Sequence, residues 1–325
     1  MVHPRRRTWL QSSQSRDEFL LVASPANYRG RLAPSPTGFL HLGHARTFWV
    51  AWHRARTAHG TLVFRNEDLD YQRCRPEFAH AMYEDLRWLG FDWDEGPDIG
   101  GAFAPYSQSE RRSFYLEAWR TLRDGGFIYP CTCSRKDLER ALSAPHEPLH
   151  GAPLHGAESV TVSPVDDETF YPGTCRNKIH TAAQYNSPAG VSWRFRVPDG
   201  ETISFTDGYS GQQQFVAGSD FSDFLLWRRD DIPSYQLAVV VDDAAMQITE
   251  VVRGEDLLKS TARQLLLIRA LGYAVPGYFH CPLLRDENNI RLAKRHDALS
   301  LRTLRSRKHN PAELCKAFQS MQNIG

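Results

Sequence analysis

Arg31-Leu-Ala-Pro-Ser-Pro-Thr-Gly-Phe-Leu-His-Leu-Gly-His44 joins two segments of different periodicity. Tyr28 to Ala33 reads as a short strand. Beyond the stretch, Ala45, Phe48, Trp49, Trp52 and Ala55 recur on one helical face, and Gly60 offers a stop. The stretch is therefore a strand-to-helix turn, carrying Pro34, Pro36, Gly38 and Gly43 with His41 and His44. A helix N-terminus presents unpaired N–H groups and a partial positive charge, which suits phosphate. Gly43 admits a ligand close to the backbone, and the two histidines bracket it, each able to donate to a phosphate oxygen.

Around this turn, 325 residues suffice for two domains or for one large domain with an insertion. Apolar content of 41% and charged content of 24% match an ordinary globular chain. The net charge is +1, so any RNA contact rests on local patches rather than on a whole-molecule field. No stretch approaches the roughly 18 apolar residues of a membrane span, and no signal-peptide core is visible. Cysteines stand at 74, 131, 133, 175, 281 and 315, a pattern that predicts a cytoplasmic protein. Residues 1–27 begin Met1-Val-His-Pro-Arg-Arg-Arg7 and read as a flexible extension. The basic segment leaves an organellar transit peptide open, though Asp17 and Glu18 count against it.

Thr61 to Arg65 alternates and reads as a second strand, delivering Asn66-Glu-Asp-Leu-Asp70 to the sheet edge where doubly wound folds hold ligands. Helices are expected from Pro76 to a stop at Gly90, with Phe78, Met82, Leu86 and Leu89 inward, and from Glu110 to Asp124. Asp68 and Asp70 read best as acidic caps of the first of these. Residues 141–169 lack periodicity and read as a long loop. Val191 to Val197 and Thr202 to Thr206, joined by Pro198-Asp-Gly200, predict a hairpin. Phe224 to Trp227, Ser234 to Val241 and Met246 to Val252 predict buried strands. A helix from Ser260 to Leu271 should end at Gly272. Asn310-Pro-Ala-Glu313 opens a last helix with Leu314, Phe318 and Met321 on one face. The basic residues Arg302, Arg305, Arg307 and Lys308 either meet RNA phosphates or form a solvated loop.

Cys131-Thr-Cys133 and Cys175 suit a metal better than a shared disulfide. Structural zinc takes four tetrahedral ligands, and three are present. Chemistry alone leaves the fourth open among His146, His150, His155 and His180.

His41-Leu-Gly-His44 resembles the HIGH signature of class I aminoacyl-tRNA synthetases, and Arg31 to Gly38 resembles the glutamyl lead-in to it. The resemblance continues through Arg65-Asn-Glu-Asp-Leu-Asp70, Tyr235-Gln-Leu-Ala238, Asp242-Asp243 and Arg253-Gly-Glu-Asp256. Arg291-Leu-Ala-Lys-Arg295 stands where the family carries KMSKS, with Arg291 for the first lysine and Ala293 for the serine. Cys-x-Cys followed by Tyr171-x3-Cys175 resembles the glutamyl-Q tRNA(Asp) synthetase family, although the loop between the halves is longer here. That resemblance implies Tyr171 as the fourth ligand, with Cys131, Cys133 and Cys175, of one structural Zn2+.

It implies further a Rossmann-type α/β catalytic domain with an inserted zinc-bearing subdomain. The expected divisions are 28–126 and 223–300 for the two catalytic halves, 127–222 for the insertion and 301–325 for a short helical end. Arg31, Ala33, Ser35, Glu67, Tyr235 and Arg253 would bind glutamate. Glu67 would take the ammonium, and Arg31 and Arg253 would divide the two carboxylates through paired hydrogen bonds. An ion pair of Arg253 with Glu255 or Asp256 is the alternative use of that side chain. His41, Gly43, His44 and Lys294 would bind ATP with its Mg2+, and His41, His44 and Lys294 would act in catalysis.

The implied reaction is ATP-dependent formation of glutamyl-adenylate, then transfer of glutamate to the queuosine base in the anticodon loop of tRNA(Asp), by a monomer. The short stretch after the KMSKS-like segment favours this over a glutamyl-tRNA synthetase charging a tRNA 3′ end. A non-catalytic RNA-binding module derived from a synthetase is the third expectation.

Overall fold

The computed structural model describes residues 28–134, 136–137, 170–177, 182–284 and 300–321. The chain opens with strand β1 (Arg29–Leu32), helix α1 (Leu42–Thr57) and strand β2 (Thr61–Phe64), and β2 pairs parallel to β1. A second such unit comes late: β8 (Glu250–Gly254), α5 (Leu258–Leu271) and β9 (Gly277–Cys281), again parallel. The two units lie side by side, since Thr249 N–H donates to the Arg29 carbonyl at 2.9 Å and Arg31 Nη1 to the Val252 carbonyl at 2.7 Å. From the adjoining β1 and β8 the chain crosses outward in opposite directions. A ligand crevice forms at such a point, outside the carboxyl ends of the strands.

Alternation sends successive side chains to opposite faces. Leu32, Leu62, Phe64, Val252 and Cys281 pack on the α1 side, while Val63, Val251 and Tyr278 pack on the other with Met246 and Ile248. Met246, which ends α4 (Tyr235–Ala245), belongs to that second face. Between the two units run α2 (Pro76–Trp88), α3 (Arg112–Asp124), β3 (Ile128–Cys131), β4 (Ser192–Phe195), β5 (Thr202–Asp207), β6 (Gly211–Val216) and β7 (Leu225–Trp227). Strands β3, β4 and β7 form an antiparallel sheet, and β5 and β6 form a hairpin that joins β9 through Asp207 opposite Tyr278. Helices α6 (Leu301–Ser306) and α7 (Pro311–Ser320) close the described chain.

Several expectations need correction. Ser234 to Val241 is helix, not strand. The run Leu237 to Asp243 is buried throughout, and periodicity cannot separate a buried helix from a buried strand. Ser234 caps the helix, its Oγ accepting from Leu237 N–H. The strand expected from Met246 starts only at Glu250, after Gln247 turns the chain at φ +55°. The hairpin expected between 191–197 and 202–206 does not form. β4 pairs with β3 and β7, while β5 pairs with β6 across the Gly208–Ser210 turn. Likewise β7 lies in the antiparallel sheet, not beside the parallel strands.

Gly60 is not the left-handed stop of α1, because His59 takes that conformation at φ +50°. Gly60 instead permits close packing: a Cβ there would lie 2.5 Å from the Tyr28 carbonyl oxygen. Asp68 and Asp70 do not cap α2. Asp68 accepts from the Ser109 backbone and hydroxyl at 2.8 and 2.7 Å, and Asp70 pairs with Arg73 at 2.7 Å.

The ends of α5 and α7 follow expectation, with Gly272 at φ +71° and Asn310 Oδ1 accepting from Ala312 N–H at 3.0 Å. In α7 Phe318 is buried, but Met321 is exposed. The basic run is partly used inside the fold. Arg305 pairs with Glu84 at 2.7 Å, and Arg302 lies over the Phe39 ring. Among the described residues no helix is long and apolar enough to cross a membrane.

Candidate active site

The carboxyl ends of three parallel strands and the start of one helix supply the site. Arg31 leaves β1, Glu67 follows β2, Arg253 leaves β8, and Tyr235 opens α4 above them. Arg31, Glu67 and Arg253 are buried, whereas Tyr235 is 38% exposed and marks the open side. Arg253 Nη1 donates to the Tyr235 hydroxyl at 3.4 Å. Among the described residues the other hydrogen-bond partners of Arg253 are His280, Thr261 and the Leu257 carbonyl, rather than Glu255 or Asp256. Ala33 is half-buried and Ser35 exposed in the turn after β1.

Residues to which the sequence assigned no role hold these groups. Arg65, wholly buried, donates to Asp243 at 2.7 Å and to Glu67 at 3.1 Å. Burial opposes its charge, but Asp243, Glu67 and Asp242 together hold the guanidinium more firmly protonated than usual. Asp243 also faces Arg31 Nε at 3.6 Å. Asp242, one position earlier on α4, accepts from Arg111 at 2.6 Å, Gln108 at 2.8 Å and Tyr115 at 3.0 Å. Burial lifts the Glu67 carboxyl above its ordinary range, against the pull of Arg65 and Arg31. Such a carboxylate gains from a cation set beside it. The signal available in the sequence was the acidic pair ending an apolar run, Val239 to Asp243.

In the turn between β1 and α1, His41 is the N-cap of α1, and its Nδ1 accepts from Gly43 N–H at 3.1 Å. An accepting ring nitrogen carries no proton, so the proton of the neutral ring sits on Nε2. The His41 and His44 rings stack at 3.8 Å. His41 is bridged to Ser300, and Leu301 N–H donates to the Leu40 carbonyl at 2.8 Å. Lys294, with Arg291 and Ala293, lies outside the described residues. Its downstream flank is thus fixed at the histidine turn.

A separate cluster closes β3. The sulfurs of Cys131, Cys133 and Cys175 lie within 4.8 Å of one another, with 3.5 Å between Cys133 and Cys175. The Tyr171 hydroxyl is 3.5 Å from Cys131 Sγ and 3.9 Å from Cys133 Sγ. Ligands about 2.3 Å from a tetrahedral zinc stand nearly 4 Å apart, so this donor set suits such an ion. The Arg194 guanidinium lies 3.9 Å over the Tyr171 ring and holds it in place. His146, His150, His155 and His180 lie outside the described residues.

Residues 27–321 match the family described as tRNA synthetases class I (E and Q), catalytic domain. The chain belongs to that family. It is 48% identical over 280 residues to a glutamyl-Q tRNA(Asp) synthetase of Nitratidesulfovibrio vulgaris, covering 86% of this chain and 81% of that relative. Against the glutamyl-Q tRNA(Asp) synthetase of Symbiobacterium thermophilum it is 47% identical over 284 residues, covering 87% and 82%. Its fold is similar to a glutamate tRNA ligase of Elizabethkingia meningosepticum solved with its amino acid. The TM-score there is 0.68 at 29% identity, over 83% of this chain and 52% of that one. This synthetase thus spans about half the length of that ligase. The fold is the α/β class I catalytic domain, and the chain is an enzyme of the ligase class to which these relatives are assigned by name.

Proposed function

We propose that this synthetase activates L-glutamate with ATP and transfers it to the queuosine base in the anticodon loop of tRNA(Asp). A glutamate carboxylate oxygen attacks the α-phosphorus of ATP, the bond to the bridging oxygen breaks, and pyrophosphate leaves. Transfer of the acyl group then releases AMP. The reading rests on one observation above others: Arg31, Glu67 and Arg253 gather around Tyr235, and β1, which carries Arg31, leads into the His41–His44 turn. Two guanidiniums and one carboxylate complement the two acids and one ammonium of glutamate. Ala33 and Ser35 line the turn that the amino acid passes.

His41 Nε2, His44, the N–H groups at the start of α1 with Gly43, and Lys294 bind ATP and meet charge gathering on the phosphates. Positioning and electrostatics supply most of the acceleration. Removing the His44 imidazole should slow activation about 10²–10³-fold. Mg2+ accompanies the triphosphate and neutralises its charge. One structural Zn2+ held by Cys131, Cys133, Tyr171 and Cys175 ties the end of β3 to the segment around residue 171.

The identities of 48% and 47% to relatives named for queuosine transfer support that acceptor. Likeness to the Elizabethkingia ligase favours a second reading, charging of a tRNA 3′ end. Labelled glutamate, offered with ATP to tRNA that contains or lacks queuosine, separates them. Label confined to queuosine-containing tRNA(Asp), and kept after removal of the 3′ adenosine, is expected. Label on the 3′ adenosine of tRNA(Glu) would replace the proposal by the second reading.

A further inference from the structure

We propose that Asp207 and His280 are positioning residues that fix the Arg253 guanidinium for a substrate carboxylate and so set the affinity for glutamate. The proposal rests on the glutamate reading above. His280 lies in β9 and Asp207 ends β5, both fully inside the fold. His280 Nδ1 is 2.6 Å from Asp207 Oδ2. A carboxylate only accepts, so the imidazole proton sits on Nδ1. Nε2 is then bare, and Arg253 Nε–H donates to it at 3.1 Å.

Thr261 Oγ1 takes a second arginine proton, from Nη2, at 2.7 Å. The Nε side of the guanidinium is thereby held, and Nη1 is turned toward Tyr235 on the open side. A charged or reversed imidazole would set N–H against N–H. Burial and the neighbouring Arg253 and Arg31 keep His280 neutral by lowering its pKa, against the pull of Asp207.

The same carboxylate anchors the β5–β6 turn. Its Oδ1 accepts from Tyr209 N–H at 3.0 Å and Ser210 N–H at 2.8 Å, and its Oδ2 accepts from His280 N–H at 3.1 Å. These bonds make Asp207→Asn an informative change. The asparagine oxygen is retained by the two turn N–H groups, which places the amide nitrogen toward His280. That nitrogen donates to Nδ1, the imidazole proton moves to Nε2, and the acceptor for Arg253 is lost. A comparable tautomer reversal is known for the Asp–His pair of serine proteases.

The assay is glutamate-dependent exchange of pyrophosphate into ATP by the full chain, with queuosine-containing tRNA present. A charge-assisted hydrogen bond of this kind implies that KM for glutamate rises about 10- to 100-fold in Asp207→Asn. KM for ATP and kcat should hold. Unchanged KM for glutamate, or equal losses in every parameter, would overturn the proposal. Absence of exchange in the parent would instead remove the glutamate reading, and this proposal with it. A measurement on the parent stands even where the variant does not fold. Imidazole nitrogen NMR should find His280 protonated on Nδ1 and bare on Nε2, and the opposite tautomer or an imidazolium would also overturn it.

Discussion

Asp85 lies on α2 and is wholly buried, yet neither carboxylate oxygen has a hydrogen-bond partner among the described residues. Its ion-pair contact with Arg305 Nη1 is 3.5 Å, and that arginine is committed to Glu84 at 2.7 Å. Burial therefore outweighs Arg305 and pushes the Asp85 carboxyl from 3.8 to about 6. Between those values the folded chain holds more protons than the unfolded one, so stability falls as pH rises through that window. At neutral pH the gap corresponds to a cost of about 3 kcal/mol. Asp85→Asn keeps the shape and cannot ionise, so every other titration cancels in the comparison.

The variant should gain on the parent by about 2 kcal/mol between pH 4.5 and 7.5, or roughly 4 °C in melting temperature at about 2 °C per kcal/mol. Thermal unfolding followed by circular dichroism at steps across that range measures it. A difference that stays flat with pH, or shrinks as pH rises, would refute the reasoning. The carboxylate would then be solvated or paired in a way the packing of α2 against α6 does not provide.

Three further outcomes test other parts of the fold. Purified protein should carry about one equivalent of zinc by elemental analysis, and Cys175→Ser should lower both that content and the melting temperature. Gly60→Ala drives a methyl group into the Tyr28 carbonyl and should destabilise by about 1–3 kcal/mol in denaturant titration. Ser234→Ala removes the cap of α4 and should cost about 1 kcal/mol, read by the same titration.

Much of the candidate site was legible because its residues stand in short, contiguous runs. The turn before α1 carries both histidines within four residues, and Cys131-Thr-Cys133 announces itself by spacing. Arg31, Glu67, Tyr235 and Arg253 were named through the family resemblance, and the fold gathers the other three around Tyr235. What escaped were their supports. Arg65 pairs with Asp243 across 178 positions, and His280 with Asp207 across 73. Apart from the acidic pair that ends the apolar run before Asp243, nothing local distinguishes such residues from surface charges.

The sequence by itself determined the elements whose ends carry their own signals. Examples are α5 with Gly272, α7 with Asn310, and the strand–turn–helix around His41 and His44. Capping groups and backbone preferences act over a few residues, so a local reading suffices. Tertiary structure alone decided that Tyr235–Ala245 is a helix, which strand pairs with β5, and why Gly60 must be small. An apolar run satisfies helix or strand equally, and only the surfaces it is buried against select between them. The same holds for pairing. β4 and β5 are neighbours in sequence, yet each finds its hydrogen-bond partners elsewhere, because backbone donors are satisfied by whichever strand the packing brings alongside.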